Sequence, residues 1–573
     1  MKLALLILFI FFFTCSFGQA NTDEFLVSKF ECISKNPTII EFGNNKKVNN
    51  NGGHLQGIQL LHNEKIIYAV LSGSSDSYAY ISIVELSNKS DVISVNTLMD
   101  KPFKHAGGFQ VYENYLAVGI EDNDNKDKSK VCIYDISNPE NLSVKPLTII
   151  ERDGKPKRST AGCVGITQYK NKIVLAVGDW DTKNIDFYTC KSTEIEKDGF
   201  KKLQSVNTEN ISKEDWVDNN WYSYQNINLF NYNENLYLIG LGQNNKKEDV
   251  ADLFRLMEDD SGNFNLKKLA GKTFFCKNES SFKAGAGVVW SEAGDMKIIS
   301  CGYNIGETTY LNCFENVILP AHSHNDYEHN RPLFDALGCN FKSIEADVFS
   351  VGDSLFVSHN FEDIKSGKTL RRLYLEPLKK RILQNNGSVY GNGEEVILFI
   401  DIKDDGLKTY QLLHKILEEY KPDLTVFENG VKKKGNIMVV VSGNRPFDFM
   451  KSQQVRMAGY DGRMNNLDSD ISPNLMPVVS DNWAKYFKWD GFGKMPEIEK
   501  LKLADYANKA KSKGYILRFW NTPNQTQEQK IAVWKELQNV GVGLIGADNL
   551  KELQNLLIKN ISKNNISKEF ILN

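Results

Sequence analysis

Four of the eight histidines fall in one short stretch of the chain. These four are His322, His324, His329 and His359. Two acidic residues, Glu345 and Asp347, lie between them. Imidazoles and carboxylates that are close together are typical of proton transfer and of metal binding. We therefore take this stretch as the first candidate for chemistry.

The acidic pair lies two residues apart in a segment, SIEADVFS, that reads as a strand. Residues at that spacing point to the same side of a strand. Two such carboxylates repel each other unless a cation lies between them, because burying unpaired like charges is costly. Oxygen ligands suit Mg²⁺ or Ca²⁺ better than a soft metal. Glu345 and Asp347 therefore predict a site for one divalent cation, Mg²⁺ or Ca²⁺.

A third carboxylate, Asp401, ends the apolar strand VILFIDIK, and Lys403 follows two residues later. This Asp-x-Lys arrangement offers one more metal ligand and one cation on the same side of a strand. Lysine binds phosphate well as a point charge. A metal, a phosphate and a lysine held together in this way can neutralise the charge that develops when a phosphodiester is cleaved.

Histidine titrates near neutral pH, so His324 and His359 can serve as base and acid on opposite sides of a phosphorus centre. Each residue alone also has a structural explanation, since a histidine at a strand end is often only hydrogen-bonded. Five such residues on successive predicted strand ends favour catalysis. His322 is an alternative for the role of His324, and His329 is predicted to lie on a helix surface or behind the site.

The elements around these residues alternate between short apolar strands and helix-like stretches such as LKTYQLLHKILEEY. Alternation of this kind over residues 316–558 predicts parallel βα units, and its length fits a (β/α)8 TIM barrel. The C-terminal strand ends of such a barrel form its active-site mouth. The final residues, 559–573, are rich in Asn and Lys and are expected to form a flexible tail.

The preceding part, residues 21–315, is predicted to be a separate all-β propeller, so the chain is multidomain. Five similar segments recur along it, beginning at His54, His105, Thr160, Ser223 and Phe282. Each segment opens with small residues and an alternating apolar strand, followed by further strands and polar turns. Repeats of this kind indicate about five propeller blades. The segment from about 25 to 45 either completes a blade or forms a sixth.

The stretch from His322 to His359 resembles the phospholipase-C-like phosphodiesterase superfamily, which includes glycerophosphodiester phosphodiesterases and sphingomyelinase D. Those proteins carry a His, a Glu-x-Asp, a second His and an acidic-x-Lys in this order. A closer resemblance is to a branch with the signature A-H-x-H-N-D-Y, present here at 321–327. The same branch shows the motifs VVVSGNRP, YDGR, LRFWNTP and GVGLIGADNL, all present here.

The resemblance implies a (β/α)8 barrel in which His324 and His359 are the catalytic pair. It implies that one divalent ion is bound by Glu345, Asp347 and Asp401. It also implies that Lys403 contacts phosphate, that Trp520 lines the pocket and that Asn325 contacts metal or phosphate. The glycerophosphodiester enzymes have His-Arg-Gly at the first motif and His-Asp at the second. This chain has His-Asn-Asp and His-Asn there, which puts that substrate in doubt.

The composition narrows the class of partner. The formal net charge is −3, and no Lys/Arg stripe with interleaved aromatics is present, so nucleic acid is not expected as a partner. The first twenty residues, 1–20, read as a secretory signal: a lysine, an apolar run, then small residues. The mature protein is expected to be secreted or otherwise extracytoplasmic, without a transmembrane segment once the signal is cleaved. An uncleaved anchor is the alternative.

None of the nine cysteines forms a C-x-x-C pair, so a zinc site of the usual spacing is not indicated. Some disulfides are expected in an oxidising compartment. The best candidate pair is Cys301 with Cys313.

Together these features predict an exported, metal-dependent phosphodiesterase that acts on a phospholipid or a glycerophosphodiester-type substrate by acid–base catalysis. In this interpretation the propeller recognises a glycan, a lipid surface or a protein, or it shields the barrel mouth. The alternative is a non-catalytic extracellular binding protein in which the propeller binds the ligand and the barrel is a scaffold. A degenerate barrel would be expected to lose a metal ligand or a catalytic histidine, and none is lost here.

Overall fold

The computed structural model describes residues 22–48, 51–63, 66–191, 195–291, 294–385 and 387–569. The predicted signal segment, 1–20, lies outside these residues. Within them the chain forms an N-terminal propeller and a C-terminal barrel. Among the helices that the structure describes, none is both long and apolar enough to cross a membrane.

The propeller begins with a helix and one strand and then runs through its blades in sequence. The elements are α1 (Thr22–Glu31), β1 (Thr38–Gly43), β2 (Leu55–Asn63), β3 (Ile66–Ser74), β4 (Tyr78–Glu85), β5 (Asp91–Asp100), β6 (His105–Tyr112), β7 (Tyr115–Glu121), β8 (Lys128–Asp135), β9 (Thr148–Asp153), β10 (Cys163–Tyr169), β11 (Lys172–Gly178), β12 (Asn184–Lys191), α2 (Ile195–Asp198), β13 (Lys201–Asn207), β14 (Tyr224–Tyr232), β15 (Asn235–Gln243), β16 (Asp249–Glu258), β17 (Phe264–Phe274), β18 (Gly285–Trp290), β19 (Met296–Cys301) and β20 (Thr308–Phe314).

These strands form five antiparallel blades of four strands each: β2–β5, β6–β9, β10–β13, β14–β17, and β18–β20 with β1. The prediction of about five blades is therefore confirmed. Strand β1 pairs with β20, so the N-terminal segment completes the fifth blade and does not form a sixth.

Hydrophobic side chains between neighbouring blades hold the ring together. Each of five buried clusters draws its residues from two adjacent blades, as with Val70 of the first blade and Val118 of the second. Because the strands alternate their side chains between two faces, every blade contributes to the cluster on each side of it. The innermost strands β2, β6, β10, β14 and β18 contact one another around the axis.

Glycines permit this convergence at the axis. A Cβ placed on Gly287 of β18 would lie 2.0 Å from the carbonyl oxygen of Ile58 in β2. A Cβ on Gly108 of β6 would lie 2.3 Å from the carbonyl oxygen of Gln225 in β14. Real side chains cannot approach backbone so closely, so glycine is required where the strand backbones meet.

The second domain alternates strands and helices. Its elements are β21 (Leu319–Ser323), α3 (Phe334–Gly338), β22 (Phe341–Val351), β23 (Ser354–Val357), α4 (Glu376–Gln384), β24 (Val396–Ile402), α5 (Gly406–Glu418), β25 (Val426–Glu428), β26 (Val431–Lys433), β27 (Ile437–Gly443), α6 (Phe447–Ser452), β28 (Val455–Arg456), β29 (Ala458–Gly462), β30 (Val478–Asn482), α7 (Glu497–Ser512), β31 (Ile516–Trp520), α8 (Gln527–Asn539), β32 (Leu544–Ala547) and α9 (Leu550–Glu569). The last helix continues past residue 558, where the sequence predicted a flexible tail.

Eight parallel strands close this domain into a barrel in the order β21, β22, β24, β27, β29, β30, β31 and β32, with β32 pairing back to β21. The predicted fold class is thus confirmed. Side chains alternate along each strand: in β24, Leu398 and Ile400 pack outward in the large helix-facing core, whereas Ile397 and Phe399 belong to the small interior cluster. The interior register continues to Asp401 at the C-terminal end.

The propeller lies against the N-terminal ends of the barrel strands. The Val317 amide, just before β21, donates to the carbonyl oxygen of Cys32 at 2.9 Å. Just before β22, Asn340 accepts a 2.7 Å hydrogen bond from Lys29 of α1. The barrel mouth is at the opposite strand ends. The cavity at the mouth is lined by barrel residues alone among the described residues, so the expectation that the propeller shields the mouth is not met.

The predicted disulfide is also wrong. Cys301 and Cys313 are both free, as are the other six cysteines of the described residues. In the sheet register Cys313 lies opposite Ile299, and Cys301 lies opposite Gly285. Cys313 therefore pairs two residues before Cys301 along β19, and the two side chains are not directly opposite each other. The twelve-residue separation in sequence carried no information about this register.

Candidate active site

Three carboxylates meet at the C-terminal end of the barrel. Glu345 and Asp347 lie on β22, and Asp401 lies directly beside Asp347 in the pairing of β22 with β24. The intervening Ala346 and the neighbouring Val348 pack outward in the helix-facing core. Because outward positions are filled by apolar side chains, the alternation leaves the acidic residues inside, at the mouth.

The arrangement of these carboxylates fits a cation. One ligand oxygen from each of Glu345, Asp347 and Asp401 lies within 4.8 Å of the others. The Oδ1 atom of Asp347 is buried and has no hydrogen-bond partner among the described residues. Buried carboxylate oxygens are rarely left unsatisfied. An all-oxygen donor set with one unsatisfied atom suits Mg²⁺ or Ca²⁺.

Lys403 lies between two of these carboxylates. Its Nζ is 3.0 Å from Oδ2 of Asp347 and 3.1 Å from Oδ1 of Asp401. It also lines the cavity described below. A phosphate contact, as the sequence predicted, requires the ammonium to turn from the carboxylates toward the cavity. A bound cation would compete with the ammonium for the same oxygens.

The pKa values of Asp401 and Glu345 are shifted in opposite directions. Burial raises the pKa of Asp401 to about 6, and the negative Asp347 and Glu345 add to this, while Lys403 opposes it. Burial would also raise the pKa of Glu345, but Arg518 and His322 outweigh it and hold that pKa well below its usual range. The Nη2 atom of Arg518 lies 3.3 Å from Oε2 of Glu345.

His324 faces the cavity, and His322 does not. His324 follows β21, lines the cavity and bonds through Nδ1 to Oδ1 of Asp548 at 2.8 Å. Burial lowers the pKa of His324, but the bond to Asp548 outweighs it, so the net shift is upward. His322 is fully buried, bonds to Ser343 and Glu345, and has a pKa lowered to about 4 by burial. The geometry thus favours His324 over its alternative.

His359 approaches the carboxylates from the other side. It follows β23, and its Nδ1 donates to Oδ2 of Asp347 at 3.0 Å. The hydroxyl of Tyr327 donates to the same oxygen at 2.7 Å. The ring of His359 remains about half exposed, with 52% of the side chain accessible. The second nitrogen is therefore left toward the cavity side, where a substrate can reach it.

A cavity of about 570 Å³ opens over these groups. The predicted substrate contacts Asn325 and Trp520 both line it. Asn325 has a left-handed backbone conformation with φ of 45°, which asparagine tolerates better than most residues. The guanidinium groups of Arg463 and Arg518 also line the cavity. An aromatic wall beside fixed cations suits an organic phosphate.

The structure thus brings together all eight residues that the sequence predicted for the site. It adds three that sequence reasoning missed: Tyr327, Arg518 and Asp548. Each lies in a motif that drew attention only through resemblance, namely AHSHNDY, LRFWNTP and GVGLIGADNL. A signal was present in Asp548, since an acidic residue directly after the apolar strand β32 must also lie at the mouth.

A carboxylate cluster with two flanking imidazoles at a barrel mouth fits a phosphodiesterase-like domain, and comparison with known proteins supports that class. Residues 314–461 match the family model of the AIM6-like phosphodiesterase domain. The altered inheritance of mitochondria protein 6 homolog of Arthroderma benhamiae is 31% identical over 265 residues, covering 41% of this chain and 82% of that protein. The altered inheritance of mitochondria protein 6 of Eremothecium gossypii is 26% identical, covering 41% and 68%.

The chain belongs to the family of altered inheritance of mitochondria protein 6 and its homologues.

Solved structures resemble the propeller half only loosely. The catalytic domain of the GH62 α-L-arabinofuranosidase of Coprinopsis cinerea covers 49% of this chain at 10% identity, with a TM-score of 0.32. The family 117 glycoside hydrolase of Zobellia galactanivorans covers 50% at 9% identity, with a TM-score of 0.32. Likeness at this level carries no argument about what this chain does.

Proposed function

We propose that the chain is an exported, metal-dependent phosphodiesterase acting on a phospholipid or a glycerophosphodiester-type substrate. The observation that carries the proposal is the meeting of Glu345, Asp347 and Asp401 between two imidazoles at the barrel mouth. Three acidic groups are costly to hold together without a cation. The match to a phosphodiesterase family supports the reaction class.

One divalent ion would be held by Glu345, Asp347 and Asp401. Such an ion supplies electrostatic stabilisation of a phosphoryl oxygen. The buried unsatisfied Oδ1 of Asp347 and the pKa of Asp401, raised to about 6, are both features that a bound cation would relieve. Lys403 and Arg518 line the same cavity and would contact the phosphate, Lys403 after turning away from the carboxylates.

His324 and His359 would move the protons of the reaction. One imidazole takes the proton from the attacking hydroxyl, and the other donates a proton to the leaving oxygen. Asp548 holds the ring of His324 through Nδ1, and Asp347 holds the ring of His359, so each ring presents Nε2 to the substrate. The attacking group is either water or a hydroxyl of the substrate, and the second route releases a cyclic phosphate.

The test is turnover of bis(p-nitrophenyl) phosphate and of a panel of phospholipids and glycerophosphodiesters, with Mg²⁺, with Ca²⁺ or with EDTA. We expect metal-dependent turnover that falls at least 10²-fold in His324→Ala and in His359→Ala. His414→Ala is the matched control, because His414 lies on α5, away from the cavity, where its ring pairs with Glu418 and stacks on Tyr410. Product analysis by ³¹P NMR separates the cyclic phosphate from the open product.

An absence of turnover across the panel would contradict the proposal if the protein is folded and has bound metal. It would favour the non-catalytic binding protein instead.

The exported state is tested separately, because the signal segment 1–20 lies outside the described residues. Expression with the native N-terminus is expected to give a secreted or periplasmic protein that lacks that segment. N-terminal sequencing measures this directly. Retention of the full-length chain in the cytoplasm would contradict it.

A further inference from the structure

A second cavity, of about 660 Å³, lies on the propeller axis. It is lined where the innermost strands of the blades begin. The residues that show this are His54 and Gln56 (first blade), His105 (second), Gly162 (third), Ser223 and Gln225 (fourth) and Lys283 (fifth). All five blades therefore contribute to one pocket, as expected where radial repeats converge.

This axial pocket is remote from the candidate active site. The innermost strand β18 begins at Gly285, beside the pocket, and ends at Trp290 on the opposite face of the propeller. The turn after β18 carries Asp295, which pairs with Lys29 and with Arg381 of the barrel helix α4. The barrel is thus attached to the face away from the pocket. The axial pocket opens on the other side of the propeller and shares no residue with the barrel mouth.

The wall of the axial pocket holds an unsatisfied carboxyl group. Glu121 at the end of β7 is fully buried and lines the pocket. Its Oε1 accepts a 2.7 Å hydrogen bond from the Ala161 amide, but its Oε2 has no partner among the described residues. A buried carboxyl oxygen without a partner is costly, so a ligand that donates a hydrogen bond is the natural partner.

Burial raises the pKa of Glu121 to about 7, which the amide of Ala161 and the nearby Arg152 only partly offset. At neutral pH this carboxyl group therefore exists in both forms and can donate as well as accept. Ligand hydroxyl groups also do both.

The rest of the lining is polar and electrically balanced. Its acidic members are Glu121 and Asp181, and its basic members are Lys247 and Lys283. Side-chain amides supply most of the remaining polar groups: Gln56, Asn123, Gln225, Gln243 and Asn244. Because two acidic residues are balanced by two basic ones, the lining has no strong electrostatic field of either sign and does not select a charged ligand.

Hydrogen bonds hold part of the lining in place before any ligand arrives. The side chain of Gln56 contacts the ring of His54 and accepts from the side chain of Gln225. The His54 ring also packs edge-on against Tyr303, with ring centroids 5.5 Å apart. Tyr303 is 40% exposed and offers an aromatic face at the pocket edge. A fixed polar floor with an aromatic edge suits a ligand with one apolar face and many hydroxyl groups.

We propose that the axial pocket binds a neutral sugar ring, with Glu121 and the side-chain amides bonding its hydroxyl groups and Tyr303 covering its apolar face. A cationic ligand is disfavoured, because Lys247 and Lys283 line the pocket and Lys126 lies 3.8 Å above the ring of Trp180. An anion is disfavoured by Glu121 and Asp181. The binding does not depend on the proposed phosphodiesterase activity.

The experiment is saturation-transfer difference NMR on the full chain with methyl glycosides of glucose, galactose, mannose, xylose, arabinose and N-acetylglucosamine. Choline and glucuronate serve as cationic and anionic probes. We expect at least one neutral glycoside to bind, with a Kd raised tenfold or more by Tyr303→Ala and by Glu121→Gln. Asp401→Asn, which alters only the barrel mouth, is the matched control and is expected to leave the Kd unchanged.

Three results would overturn the proposal: no binding of any glycoside, binding that survives both propeller substitutions, or binding of choline or glucuronate alone. Tyr303 is partly exposed, so its replacement tests the site even if Glu121→Gln fails to fold, and thermal unfolding checks each variant. Turnover of bis(p-nitrophenyl) phosphate is measured on the same variants. Loss of turnover in Asp401→Asn with intact sugar binding would separate this proposal from that of the barrel.

Discussion

Asp548 acts on the proposed reaction only through the ring of His324. The Oδ1 atom of Asp548 is 2.8 Å from Nδ1 of His324. Asp548 is not one of the three carboxylates that could bind the metal ion. A group in this position fixes the ring and stabilises its protonated form. In the proposed reaction Asp548 would be a positioning residue for the proton transfer.

We therefore expect Asp548→Asn to lower kcat by about 10²-fold, within the range of general acid–base effects, while KM and metal affinity stay near the wild-type values. Steady-state kinetics and calorimetric metal titration measure the two effects separately. Asp505→Asn, an exposed carboxylate on α7, is the control. A parallel loss of metal affinity would show that Asp548 belongs to the metal site instead.

Glu121 gives a pH dependence that can be worked out from its burial. Its pKa is raised to about 7 in the folded protein from an ordinary value of 4.5. The folded state thus holds the proton more tightly than the unfolded state. Its contribution to stability is complete below about pH 4.5 and is lost as the pH rises through about 7.

Glu121→Gln removes this pH-dependent loss of stability, because the glutamine side chain does not ionise. We expect the stability of the variant relative to the wild type to increase by on the order of 3 kcal/mol between pH 4 and pH 8, since each pKa unit corresponds to about 1.4 kcal/mol. Urea unfolding at several pH values measures it. Stability curves that stay parallel across this range would show that Glu121 is not held in a raised-pKa environment.

Residue-level prediction from sequence worked where period-two alternation fixed the geometry. Glu345 and Asp347 share one face because they are two apart on a strand, and Asp401 continues the interior register of Phe399. The same reasoning could not find Arg518, whose contact with Glu345 joins strands far apart in the chain. Such contacts depend on how the barrel closes, which local pattern does not encode.

At the scale of elements, the innermost strands are limited by how closely their backbones approach at the propeller axis. A side chain on Gly287 would collide with the carbonyl oxygen of Ile58, at 2.0 Å from a Cβ. By contrast, Gly43 in the outer strand β1 has space for a Cβ, whose nearest neighbour would be Asp91 at 3.4 Å.

Gly287→Ala is therefore expected to destabilise the propeller by about 1–3 kcal/mol, as overpacking does, whereas Gly43→Ala is expected to change stability by well under that. Urea unfolding followed by tryptophan fluorescence compares the two variants. Equal stabilities would mean that the strands are not as close at the axis as described.

Element-level prediction succeeded for repeats and failed for pairing across the ring. Five segments with the same pattern revealed the blades, but nothing in the local sequence TIIEFG told which blade β1 joins. Its partner, β20, lies more than 250 residues away and is fixed by closure of the ring. The misplaced disulfide between Cys301 and Cys313 has the same origin, because register is a property of the assembled sheet.

For the whole molecule, one buried ion-pair network holds the two domains together. Asp295 of the propeller lies 2.7 Å from Nζ of Lys29 and 2.6 Å from Nη2 of Arg381 on the barrel. The Lys29 side chain is entirely buried. Removing the one acid would leave two buried cations facing each other.

Asp295→Asn is thus expected to destabilise the protein by about 3–5 kcal/mol, the range measured when a buried pair loses one partner. Differential scanning calorimetry should then show the two domains unfolding separately. The control is Glu209→Gln, whose pair with Lys183 is exposed and contributes at most about 1 kcal/mol. A single unchanged transition in Asp295→Asn would contradict this account of the interface.

The sequence could not predict how the two domains pack against each other. The propeller contacts the N-terminal strand ends through Lys29 and Asp295, residues that no motif distinguishes. Only the assembled structure shows that the barrel mouth and the axial pocket open on different sides. None of the described propeller residues lines the cavity at the mouth.

The central claim is that the three carboxylates hold one divalent cation on which phosphodiester cleavage depends. The most direct measurement is calorimetric titration of the apoprotein with Mg²⁺ and with Ca²⁺, alongside turnover of bis(p-nitrophenyl) phosphate, for the wild type and for Asp401→Asn. We predict one bound ion per chain, turnover abolished by EDTA, and loss of both in Asp401→Asn but not in Asp505→Asn. Full turnover in EDTA, or no stoichiometric binding of either ion, would contradict the claim.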